Sequence, residues 1–125
     1  MRVNVPRGVG LVLVGAVVLL GGCTSLSGVG GDTQYACPEP RGKFLDCGAW
    51  WPDTFSNSRA LFERGWGGVM IEPSPLPFAK LQAAYAEHAD RITLINAAVC
   101  LTPGVLEMWI SGDGLSTSEQ AIYDK

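Results

Sequence analysis

Lys43-Phe44-Leu45-Asp46-Cys47-Gly48-Ala49 is the stretch on which the reading of the fold turns. A short apolar run reaches a carboxylate and then a glycine, the pattern of a buried strand entering a tight turn. Val69-Met70-Ile71 repeats it and ends at Glu72, where Pro73 stops the ladder because it has no N–H to donate. Ile92-Thr93-Leu94-Ile95 repeats it once more and ends at Asn96. Between these runs, residues 57–64 predict a helix with Ala60, Leu61 and Phe62 on its apolar face and Gly65 as its C-cap. Residues 75–87 predict a second, with Phe78, Leu81, Ala84 and Tyr85 as its buried positions. Strand, helix, strand, helix, strand at this spacing predicts an α/β fold, a mainly parallel sheet with flanking helices and right-handed crossovers. Leu106 to Ile110 predicts a fourth strand, led in by Val105 after the turn Thr102-Pro103-Gly104.

A doubly wound sheet binds its ligand beyond the carboxyl ends of its strands. Asp46, Glu72 and Asn96 are the polar residues expected there, at three matching strand ends. Gly48 lets the backbone turn tightly and leaves room for a ligand. The turn is neither the GxGxxG of nicotinamide cofactors nor a P-loop, so a pyrophosphate is not its natural ligand. Glu72 lies 26 residues after Asp46, where adenosine-type ligands have their ribose hydroxyls held, and a carboxylate can accept from both hydroxyls. Asn96-Ala97-Ala98 offers an amide and small side chains against which an adenine could lie; ordinary packing explains it equally well. Trp50, Trp51 and Trp66 read as core or lid residues. No general base stands out: His88 closes the second helix at the surface, and Asp53 merely lies near the turn.

The first 42 residues have a different character. Arg2 and Arg7 precede an apolar run from Gly8 to Gly22, followed by Cys23. Residues 1–22 therefore read as a signal peptide or membrane anchor, too short for a comfortable span. Leu20-Gly21-Gly22-Cys23 resembles the bacterial lipobox, which makes Cys23 the expected lipidation site and places the protein at a membrane. An uncleaved anchor and a misplaced start codon are the alternatives, the latter implying a cytoplasmic protein. Residues 23–42, rich in Gly, Ser, Thr and Pro, read as a flexible tether, and 43–125 as the domain. Past residue 22 there are seven Lys and Arg against twelve Asp and Glu, a net charge of −5 that argues against a nucleic-acid partner. Cys37, Cys47 and Cys100 are spaced by 10 and 53 residues, which fits no paired zinc motif. Cys47 and Cys100 read as small core residues, and a Cys37–Cys47 pair is the alternative in an oxidising compartment.

Five blocks in order carry a family resemblance: Phe44 to Ala49, Thr54 to Ser58, Gly65 to Pro75 (centred on Ile71-Glu72-Pro73), Leu94 to Val99, and Gly114 to Thr117. Together they resemble the FkbM methyltransferase family over residues 43–125. The resemblance implies a Rossmann-like class I fold and S-adenosylmethionine (SAM) as cofactor, with a hydroxyl of a small molecule or sugar-containing natural product as methyl acceptor. By position it assigns Asp46, Gly48 and Ala49 to the first SAM motif, Glu72 to the ribose, and Asn96 and Ala97 to the adenine side. Two departures stand out. Trp50-Trp51-Pro52 replaces the turn that continues to a further glycine in the family, which predicts weakened SAM binding. The chain stops at Lys125, so an incomplete domain is expected, lacking the later strands. The competing expectation is a non-catalytic, lipid-anchored envelope protein carrying a remnant of that domain, because SAM is made in the cytoplasm.

Overall fold

The computed structural model describes residues 2–5, 16–20, 24–26, 34–36, 41–99 and 104–108. In chain order they form β1 (Arg2–Val5), β2 (Ala16–Leu20), β3 (Thr24–Leu26), β4 (Gln34–Ala36), β5 (Lys43–Cys47), α1 (Arg59–Glu63), β6 (Gly67–Ile71), α2 (Pro75–Tyr85), β7 (Ile92–Ile95) and β8 (Gly104–Glu107). A single 3-10 turn, Ala86–His88, extends α2. The sequence-predicted strands, at 43–47, 69–71 and 92–95, coincide with β5, β6 and β7, with β6 beginning two glycines earlier.

The three strands pair in parallel, with Phe44 level with Gly68 and Ile92, and Cys47 level with Ile71 and Ile95. With α1 and α2 as crossovers they form a small α/β unit. Side chains alternate between its faces. Phe44, Met70 and Ile92 join Leu61 of α1 and Leu81 and Tyr85 of α2 in one buried cluster, so both helices cover the same face. Cys47, Ile71 and Ala97 form a second cluster on the other face, flanked by Leu45, Val69 and Val99. Cys47 is a buried free thiol, and Cys23, Cys37 and Cys100 lie outside the described residues.

Local chemistry explains where the elements stop. At the end of α1, Gly65 takes a left-handed φ of 89° and its N–H donates to the Phe62 carbonyl, while that of Trp66 donates to Leu61. These two bonds make a Schellman cap, and Leu61 and Trp66 supply its buried apolar contact. β6 opens on glycines because its neighbours press on it. A Cβ on Gly68 would meet the Phe44 carbonyl oxygen and lie 2.8 Å from the Phe44 ring. The α2 face differs from expectation: Pro77, Leu81 and Tyr85 are its buried residues, spaced by four, while Ala84 is exposed. Position i+6 lies well round the helix from i, which the spacing argument passed over.

Three strand pairings differ from the sequence reading. β2 runs antiparallel along β5, from Ala16 opposite Cys47 to Leu20 opposite Lys43, and becomes the edge of a four-stranded sheet. The sequence reading placed no strand before Lys43; valine-rich runs suit a strand as well as a leader. β3 and β4 pair with each other within the stretch read as a tether. The fourth predicted strand is shifted to Gly104–Glu107 and pairs antiparallel with β1 instead of extending the parallel sheet. Trp109 and Ile110 lie outside the described residues. Among the described residues no helix is long and apolar enough to cross a membrane.

Candidate functional site

The carboxyl edge of the sheet is built by three loops that begin at Gly48, Glu72 and Asn96, the residues one step past the level row Cys47, Ile71 and Ile95. Gly48 has a φ of 76°, a conformation open to glycine. Its N–H and that of Ala49 both donate to the Ile71 carbonyl, at 2.8 and 3.1 Å. The first turn is thus folded back onto the end of β6. Ala49 is buried in the helix-side cluster, and Ala97 packs with Cys47 and Ile71 on the other side.

Glu72 is the knot of this edge. It is 3% exposed. Its Oε2 accepts the Trp50 N–H at 2.9 Å and its Oε1 the Ser74 N–H at 2.7 Å. Its backbone N–H donates to Ile95 at 3.0 Å, and its carbonyl accepts the Asn96 side-chain amide at 2.8 Å. The same amide reaches the Pro73 carbonyl at 3.3 Å. One carboxylate therefore ties together the loops after β5 and β6, and Asn96 adds the loop after β7. Charge-assisted bonds of this kind are among the stronger ones available.

Asp46 is placed differently from expectation. It is level with Met70 and Leu94, two rows before Glu72 and Asn96, so the three polar residues do not sit at matching strand ends. It is 0% exposed, and among the described residues neither carboxylate oxygen has a partner in full hydrogen-bonding geometry. Burial pushes its pKa up to about 6; the Ser58 and Asn57 side chains stand as hydrogen-bond donors beside it and favour the charged form, and Glu72 opposes it. The Ser58 hydroxyl is itself buried, and Asp46 is the acceptor it faces. The charge is felt around it: burial and then Asp46 raise the Cys47 thiol, and burial, followed by Asp46, pushes Tyr85 up to about 12.

The loop from Gly48 to Ser58 covers this carboxylate. Trp50 and Phe55 adopt left-handed φ values of 58° and 53°, uncommon for residues with a bulky side chain. The Trp50 and Trp51 rings meet edge to face, centroids 5.8 Å apart at 79°, and both are half-buried. Phe55 is 61% exposed. Ser56 Oγ accepts the Arg59 N–H at 3.1 Å, and Arg59 Nη1 reaches the Asp53 carbonyl at 3.0 Å, pinning the loop to α1.

The structure thus brings Gly48, Ala49, Glu72 and Asn96 together at one edge, with Ala97 packed beneath and Asp46 sunk below the first turn. Asp53 is exposed, and its carboxylate accepts the Thr54 hydroxyl at 3.5 Å. His88, expected at the surface, is half-buried with its ring 4.9 Å from Phe62, beyond the far end of α2. Trp66 is core, as expected, and Trp50 and Trp51 border the edge. Sequence reasoning missed the Trp50 and Ser74 N–H groups as partners of Glu72. The Ser74-Pro75 pair, an N-cap before a proline, was the available signal for Ser74. The chain matches no family model, and neither the curated proteins nor the solved structures contain a match to it.

Proposed function

We propose that the carboxyl edge of the sheet is a SAM-binding edge of the FkbM type, serving methyl transfer to a hydroxyl of a small molecule or sugar-containing natural product. The observation that carries this reading is Asp46: a carboxylate held out of water with only the Ser58 and Asn57 side chains beside it, beneath a glycine turn at the carboxyl end of a parallel sheet. Burying an unpaired carboxylate costs stability, and such groups concentrate at functional sites. In this reading its charge, beneath the turn, favours the ammonium of an amino-acid moiety without direct contact. Glu72 uses one acceptor position on each oxygen for Trp50 and Ser74, and a carboxylate has about four, so ribose hydroxyls still have acceptors there. In this reading Asn96, exposed at the same edge, and Ala97, packed beneath it, take the adenine side.

SAM supplies the chemistry in the form of an electrophilic methyl on its sulfonium. The protein's part is positioning, which accounts for most of the acceleration in such a displacement. Glu72 fixes the turn after β5 against the loop after β6, so two walls of the site are set before a ligand arrives. Lipidation at Cys23 follows removal of residues 1–22, so in this reading β1 and β2 belong to the precursor and Cys23 would hold the mature chain at a membrane. Cys23 and Gly114 to Thr117 lie outside the described residues.

A second reading, a non-catalytic envelope protein carrying a remnant domain, is favoured by one observation. Trp50 occupies the turn in a left-handed conformation with its N–H committed to Glu72, in place of a free backbone donor for the methionine tail. Calorimetric titration of the full chain with SAM separates the two. Micromolar binding that falls ten- to hundredfold (roughly 1.5–3 kcal/mol) in Glu72→Gln is expected for the cofactor site. No heat with SAM removes the methyltransferase reading and leaves the remnant. In parallel, Cys23→Ala should move the protein from membrane to soluble fractions; an unchanged distribution rules out the lipid anchor.

A further inference from the structure

The feature of this edge that its SAM reading does not use is the Trp50–Trp51 corner. Two indole rings at 79° with centroids 5.8 Å apart form an L-shaped apolar wall on the loop over the strand ends. The backbone N–H of Trp50 is fastened to the Glu72 carboxylate at 2.9 Å, so a carboxylate stands at the base of the corner. Asp46 adds a second buried carboxylate two residues before Gly48 of the same turn. Both tryptophans are half-buried, and Trp50 is held in place by a left-handed backbone that an indole-bearing residue adopts at a cost.

The chemistry of this arrangement is selective. Glu72 already receives two N–H groups, and Asp46 is out of direct reach of solvent. What the two rings themselves offer is π-faces, with no hydrogen-bond acceptor of their own. A primary ammonium or a guanidinium needs acceptors for its N–H groups. An onium ion, with carbon substituents around a positive nitrogen or sulfur, has none to satisfy and is recognised by π-faces backed by carboxylates. We propose that Trp50 and Trp51, backed by Glu72 and Asp46, form a binding site for a small onium cation, a quaternary ammonium or a sulfonium. The proposal rests on the reading of this edge as the ligand site, and it assigns the charge-reading part to the tryptophans. It also gives Trp50-Trp51-Pro52 a role that the family resemblance left as a departure.

The test uses the full chain and four probes: choline, its neutral isostere bearing a tert-butyl group in place of the trimethylammonium, SAM, and S-adenosylhomocysteine, which lacks the sulfonium charge. Affinities are measured by calorimetry or ligand-detected NMR in the parent, Trp50→Leu and Trp51→Leu, with Trp51→Phe as the conservative control and thermal melts as the check on folding. Choline should bind about ten-fold more tightly than its isostere, the preference disappearing in folded Trp51→Leu and returning in Trp51→Phe. Equal binding of choline and isostere, or no binding of either onium probe, overturns the proposal. SAM and S-adenosylhomocysteine binding equally, with loss in Glu72→Gln, also overturns it while leaving the SAM site standing. Choline bound through the tryptophans with no binding of SAM supports the onium site and removes the SAM reading.

Discussion

The ends of β5 and β6 carry the same chemical group in opposite circumstances. Asp46 and Glu72 are both buried carboxylates on adjacent parallel strands. Glu72, past the end of its strand, can curl into the loops and collects two backbone N–H groups. Asp46, two rows earlier, is confined to the helix-covered face and collects none. Register alone separates a carboxylate that holds the fold together from one that burdens it. A buried charge that is fully hydrogen-bonded stabilises the fold; one that is not is retained at a cost to it.

The largest effect is expected from removing the satisfied partner. Glu72→Ala leaves the Trp50 and Ser74 N–H groups without their acceptor and unties two loops, a loss of about 4 kcal/mol at roughly 1–3 kcal/mol for each orphaned group. Urea unfolding at neutral pH measures it. A loss smaller than that of an ordinary surface substitution would show that Glu72 does not brace the edge.

Asp46→Asn should act in the opposite direction. The carboxyl is raised from 3.8 to about 6 in the folded protein. Because the folded-state value is the higher one, stability from this group is complete below the unfolded value and declines as pH rises through about 6. Over two units that is about 3 kcal/mol. The parent should therefore lose stability between pH 4 and pH 7, and Asp46→Asn should flatten that decline and be the more stable protein at pH 7. Finding Asp46→Asn less stable than the parent at pH 7 would mean that this carboxylate has a native partner after all, and the contrast with Glu72 would collapse.

The smallest effect tests the third strand end. Asn96→Ala removes the amide that reaches the Glu72 and Pro73 carbonyls, at an exposed position where water can replace it. A loss of about 1 kcal/mol is expected. If chemical denaturation shows a loss as large as that of Glu72→Ala, the β7 loop belongs to the knot on equal terms.

The order of elements was legible in the sequence because it depends on local rules. Short apolar runs closed by Gly48, Pro73 and Asn96 marked the three parallel strands, and Gly65 marked the end of α1, where its positive φ makes the cap. Glu72 and Asn96 were recognisable as edge residues from their place just after such runs. The row in which Asp46 lies was not, since strand ends read one at a time say nothing of how the strands are staggered against each other. Nor were the partners of Glu72: they are backbone N–H groups, which every residue carries, and only the left-handed turn at Trp50 points one of them at the carboxylate. The pairing of β2 with β5 and of β1 with β8 likewise joins segments far apart in the chain. The sequence by itself determined the α/β alternation and the residues available at its edge. The tertiary structure decided which of those residues are satisfied, because hydrogen bonding between distant segments depends on register and backbone direction, and no local pattern of side chains encodes either.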